Sequence, residues 1–173
     1  MSLRPAVTFI LGLLVGGGLF FIFGNPFASR GSDLVDEYYQ LKPLSVVQMD
    51  GDVVDFEVVI ADSFEERKRG LQYVAHLGSN QGMWFVFQDE TVKTFWMKDT
   101  LIPLDILFVD SKFKVVSIAQ NLPPCFQVDP EQKNCEYTSS VEKVKYALEI
   151  TGGMADAEGI SIGDTIQLQE QQD

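Results

Sequence analysis

Residues 104–119 read LDILFVDSKFKVVSIA, and this stretch decides the fold. Leu104–Val109 is apolar except at Asp105, Asp110-Ser111 is a polar turn, and Phe113–Ala119 is a second β-rich run. Runs this short, rich in β-branched and aromatic residues and broken by turn residues, predict strands. The same signal extends in both directions. Upstream lie Thr94–Met97 (TFWM), Gly82–Phe87 (GMWFVF) and Val53–Ala61 (VVDFEVVIA), the last alternating apolar with polar residues as a half-buried strand does. Asp50-Gly51, after the apolar run Leu44–Met49, suits the positive φ angles of a tight hairpin. Ser63 followed by Glu66 is a capping box and opens a helix running to about Gly70-Leu71. Downstream come a proline-bearing polar loop at 121–140, Lys145–Ile150 (KYALEI), a short helix around Met154–Glu158 and a last strand at Thr165–Leu168. About seven or eight short strands that do not alternate with long helices predict a mainly β domain over 44–169, a compact jelly-roll-like sandwich or barrel with one or two short helices.

The 173 residues are 46% hydrophobic and 22% charged, which excludes wholesale disorder. The net charge is -12, but residues 1–30 carry +2 and no acid, leaving -14 on the remainder. A body that acidic repels polyphosphate, so no nucleic-acid partner is expected. From Ala6 to Phe23 the chain reads AVTFILGLLVGGGLFFIF, 18 uncharged residues. As a helix this spans about 27 Å, near the roughly 30 Å of a bilayer core. Pro26, Phe27 and Ala28 make a poor cleavage site. The reading is a retained transmembrane helix within residues 5–24, with 1–30 as anchor and spacer. Arg4 favours a cytoplasmic N-terminus. That places the body in the periplasm of a bacterial inner-membrane protein. In that compartment Cys125 and Cys135, the only cysteines, are expected to pair as a disulfide. With one histidine, His76, and no CxxC or EF-hand spacing, neither a metal nor a cofactor is expected.

The segments GMWFVF, FWMKDTLIPLDILFV, NLPPC, YALEI and GISIGD, in this order, resemble the bacterial and archaeal family called Domain of Unknown Function 192 (DUF192). The resemblance runs from about Val53 to Leu168. It implies a compact β-rich domain of jelly-roll type behind a signal or anchor segment, and it implies no reaction. The chain departs from the family pattern in two places. Asp99 stands where the pattern has Asn in MKNT. Gly70-Leu71 continues as Gln72-Tyr73-Val74 where the pattern reads GLMFR, so a Met and an Arg are missing.

Six residues are candidates for ligand binding. Asp105 lies among apolar neighbours, so its carboxylate needs a partner, exposure or a proton. Lys98, Arg67, Arg69 and backbone N–H groups are the candidate partners. Glu149 in YALEI poses the same problem. Trp84, Trp96 and Met97 belong to an aromatic run that either packs a core or presents an open face for a sugar or peptide. The leading functional reading is a membrane-anchored periplasmic domain that binds a small ligand or an envelope partner without catalysis. Two alternatives stand beside it. One is a hydrolase-like enzyme using Asp105 with Lys98 or Glu149. The other is an assembly factor for a membrane protein complex, recognising its partner through the glycine-bearing helix.

Overall fold

The computed structural model describes residues 41–169. Its strands are β1 (Lys42–Val47), β2 (Val53–Ala61), β3 (Gln81–Thr91), β4 (Thr94–Trp96), β5 (Leu104–Val109), β6 (Val115–Leu122), β7 (Tyr137–Ser139), β8 (Val144–Thr151) and β9 (Thr165–Leu168). Three short helices interrupt them: α1 (Phe64–Arg69), α2 (Cys125–Val128) and α3 (Met154–Ala157). Seven strands form one sheet in the order β6-β5-β8-β3-β2-β1-β9, and β4 with β7 forms a separate two-stranded ribbon. The transmembrane helix expected within residues 5–24 lies outside the described residues. Among the described residues no helix is long and apolar enough to cross a membrane.

Of the expected sandwich or barrel, the domain takes the form nearer the barrel: its main sheet curls into a half-barrel, and no second large sheet faces it among the described residues. The segment entering β6 meets the last strand. Lys114 bridges Thr165, the Val115 N–H donates to the Asp164 carbonyl and the Ile166 N–H donates to the Phe113 carbonyl, each at 2.8 Å. One pair, β2 with β3, is parallel. A parallel pair cannot be joined by a hairpin and needs a crossover of a dozen or more residues. Residues 62–80 supply it, and α1 opens it behind the predicted capping box. The Ser63 hydroxyl accepts from the Glu66 N–H, and the Glu66 carboxylate accepts from the Ser63 N–H. The Ser63 N–H, and after it the Ser63 hydroxyl donating at 2.8 Å, hold the Glu66 carboxyl below its usual range.

Both faces of the sheet are apolar, for two reasons. Inside the curl, Leu44, Val46, Phe56, Val58, Trp84, Leu107, Leu148 and Ile150 meet Val115 and Ile166 from the two edges. On the outer face, Met83, Phe85, Ile106, Phe108 and Ala147 are covered by Leu71, Val74, Leu77 and Met97 from the connections. Every residue of β5 is therefore buried. Trp84 is sealed inside the curl at 0% exposure, stacked on Tyr146, which stacks in turn on Phe113. Phe85 packs edge-on against Phe95, which packs against Phe108. No open aromatic face exists on β3.

Strand ends shift where backbone chemistry intervenes. β6 begins at Val115 rather than Phe113, because Phe113 takes a positive φ of 62° and turns its carbonyl to β9. The loop expected at 121–140 contains α2 and β7, pinned by the Cys125–Cys135 disulfide with Cα atoms 5.4 Å apart.

Candidate functional site

Asp105 and Glu149 stand on neighbouring strands, one register step apart, and on opposite faces. Asp105 pairs with Ile150, and Glu149 pairs with Ile106. Cross-strand partners share a face and successive residues alternate. The two carboxylates therefore point away from each other and cannot act as an acid–base pair on one substrate.

Asp105 is fully buried. Its Oδ1 accepts the N–H groups of Asn121 at 2.6 Å and Gly153 at 2.9 Å, and its Oδ2 accepts the N–H of Ala155 at 2.8 Å. Of the partners weighed from the sequence, the backbone is the one used here. The Lys98 ammonium lies 5.5 Å over the Trp96 ring, and the Arg67 guanidinium donates to the carbonyls of Asp62 and Val86. The carboxylate thus ties β5 to the end of β6 and to the start of α3. Asn121 presents its N–H from a positive φ of 49°, and Gly152 beside it has no room for a Cβ, which would fall 2.9 Å from Asn121 Oδ1 and from the Pro103 backbone.

Glu149 has the opposite surroundings. It is buried, its Oε2 has no hydrogen-bond partner, and loss of hydration pushes its carboxyl up to about 8. Its cross-strand neighbours are Met83 and Ile106. No Lys or Arg is buried among the described residues. Val74, at the position where the family pattern carries Arg, is buried in the same apolar cluster as Met83 and Ile106.

A cleft lies elsewhere, between the β4–β7 ribbon and α2, with a volume of about 190 Å³. Phe95, Met97, Ile106 and Leu122 make an apolar floor. Cys125 and Cys135 form one wall, and Trp96, Tyr137 and Val128 stand around the mouth. Trp96 and Tyr137 pair across the ribbon and stack with centroids 5.8 Å apart. Glu136 is the charged residue of the lining, with Asn134 and Thr138 beside it. Of the six candidates, Trp96 and Met97 line this cleft, and Lys98 flanks it over the Trp96 ring. Trp84, Asp105 and Glu149 do not line it. Asp105 still bears on it, because the Asn121 N–H it holds precedes Leu122 and Pro123 in the cleft wall. Sequence reading missed Val128, Glu136 and Tyr137. Tyr137–Ser139 is too short for a strand signal and pairs only with a strand some forty positions upstream.

The two departures from the family pattern touch each other. The Tyr73 N–H donates to the Asp99 carbonyl at 2.8 Å, and Asp99 holds the Tyr73 phenol above its ordinary range. Gln132 completes the contact, its Oε1 accepting the Asp99 N–H at 2.7 Å and its Nε2 donating to Asp99 Oδ1 at 3.4 Å. This links the disulfide loop to the crossover that covers Glu149. Within that loop Asp129 accepts the N–H groups of Glu131, Lys133 and Asn134, bonds that keep its carboxyl below the usual range, the one from Asn134 foremost.

Fold and site define a curled single-sheet β domain with a disulfide-walled cleft. The chain belongs to the DUF192 family ("Uncharacterized ACR"), whose model matches residues 45–168. Two solved structures are similar. One, from Sinorhizobium meliloti 1021, is described as a "putative transcription regulator". It is 28% identical with a TM-score of 0.68, over 75% of this chain and 95% of that one. The other is a protein of unknown function from Novosphingobium aromaticivorans DSM 12444, 29% identical with a TM-score of 0.68, over 88% of this chain and 99% of that one. Among curated proteins, none matches.

Proposed function

We propose that this chain is a membrane-tethered periplasmic domain that binds a ligand or envelope partner, without catalysis, in the cleft between the β4–β7 ribbon and α2. The observation that carries this reading is the cleft itself, an apolar floor behind a mouth of partly exposed aromatic residues. Binding sites are concave and mostly apolar, with a few polar groups for orientation, and Asn134, Glu136 and Thr138 are such groups. The hydrolase alternative loses support because Asp105 and Glu149 face apart and Asp105 is held by three backbone donors. The tether rests on the uncharged run at residues 6–23.

Two measurements test this reading. The full-length chain in lipid nanodiscs is titrated with benzyl alcohol and followed by amide NMR. Saturable shifts are expected at residues 95–97 and 134–138, abolished by Val128→Glu at the exposed mouth. Scattered, non-saturating shifts reject the cleft. N-terminal sequencing of protein extracted from membranes is expected to show a start ahead of residue 24; a start near Ser29 rejects the tether.

A further inference from the structure

Size decides what the cleft accommodates. At about 190 Å³ it exceeds the roughly 150 Å³ that admits a benzene ring and falls below the roughly 300 Å³ at which sites for whole small molecules begin. It has room for one aromatic ring or one leucine-sized side chain, an anchor and not a complete ligand. The rest of the ligand must lie outside, across the mouth.

The mouth suits a polypeptide. Trp96, Val128 and Tyr137 are 40%, 64% and 66% exposed and line it together. Contiguous exposed apolar surface of this kind marks protein interaction sites. Among the described residues the ribbon beside it has two strands, so there β4 and β7 each keep one edge without a strand neighbour. An unpaired edge is a template for an added strand. Charge narrows the choice further. The lining contains no basic residue, its charged member is the exposed Glu136, and the -14 of residues 31–173 outweighs Lys98, the cation that flanks the cleft over the Trp96 ring.

Building on the binding role assigned above, we infer that the cleft captures an extended, basic polypeptide segment, which lies along the β4–β7 ribbon and seats one aromatic or leucine-sized side chain on the Phe95–Ile106 floor. The partner's cations face Glu136, and its backbone pairs with the ribbon edge.

The test uses three capped peptides, KTFTK, KTATK and ETFTE, with benzyl alcohol as the isolated ring. Each is titrated into the full-length chain in nanodiscs and followed at the amides of residues 94–97 and 136–139. KTFTK is expected to bind at least tenfold more tightly than KTATK and than ETFTE, with affinity falling as salt rises. Val128→Arg, an exposed change that leaves the core intact, is expected to abolish the KTFTK shifts, and Glu136→Gln to weaken them severalfold. If benzyl alcohol binds and no peptide does, the polypeptide inference falls while the binding role stands. If ETFTE equals KTFTK, the basic partner is wrong. If neither the ring nor any peptide shifts the cleft, both readings fall.

Discussion

Asp105 and Glu149 are two buried carboxylates on adjacent strands, and they could hardly be housed more differently. Asp105 collects three backbone N–H donors from two chain segments. Glu149 sits among apolar side chains, one oxygen without a partner. Burial alone does not make a charged group costly or useful. The donors within reach decide, and the face of the sheet decides the donors. The inward face at Asp105 ends where β6 and α3 present N–H groups to it, whereas Met83 and Ile106, the neighbours of Glu149 on the outward face, belong to an apolar cluster with Leu77, Val74 and Met97.

The largest effect should follow removal of the satisfied carboxylate. Asp105→Ala removes the acceptor of three backbone N–H groups, the buried one of Ala155 among them, and urea unfolding is expected to show a loss of about 3–5 kcal/mol. A loss below about 1 kcal/mol breaks the comparison, since Asp105 would then be no better served than Glu149.

Next comes the unsatisfied carboxylate, where the sign reverses. The folded state raises the Glu149 carboxyl from 4.5 to about 8, so between these values the folded chain holds a proton that the unfolded chain has released. Its contribution to stability therefore falls as pH rises from about 4.5 to about 8, and is level above that range. Glu149→Gln is expected to stabilise the domain by a few kcal/mol at pH 9, by less at pH 7 and not at all near pH 4. Melting temperatures of wild type and variant across this range are the measurement. Parallel profiles mean that Glu149 has a compensating partner.

The smallest effect sharpens the contrast by showing what Lys98 does not do. Its ammonium lies over Trp96 and accompanies neither carboxylate. Lys98→Ala should cost less than about 1 kcal/mol, the range of an exposed cation–π contact, and leave the pH profile of stability unchanged. A cost of several kcal/mol restores Lys98 as a counter-ion of the buried acids.

The awkwardness of both carboxylates was legible in their neighbours, LDILFV and YALEI, and so was the capping box at Ser63. The difference between them was not. Asp105 is served by Asn121, Gly153 and Ala155, whose N–H groups carry no side-chain signature. The cleft was half legible. Trp96 and Met97 stood out by composition, but Val128, Glu136 and Tyr137 sit in a proline-bearing loop with no periodicity to read. The open aromatic face expected on β3 failed for a related reason. Trp84 and Phe85 do alternate, yet chain from outside the strand covers both faces.

By itself the sequence determined every described strand but β7, the turns at Asp50-Gly51 and Asp110-Ser111, the helix start at Ser63 and the pairing of its only two cysteines. These depend on local periodicity, on backbone angles special to a few residues, and on the absence of any other thiol. Tertiary structure alone decided that one sheet curls instead of two sheets stacking, because closure rests on bonds between residues about fifty positions apart, such as Val115 with Asp164. It also decided which buried acid is at rest and which is not, and it built the cleft by laying Tyr137 against Trp96. Long-range backbone hydrogen bonds and cross-strand register are properties of where the chain returns, and no local pattern in this sequence records that.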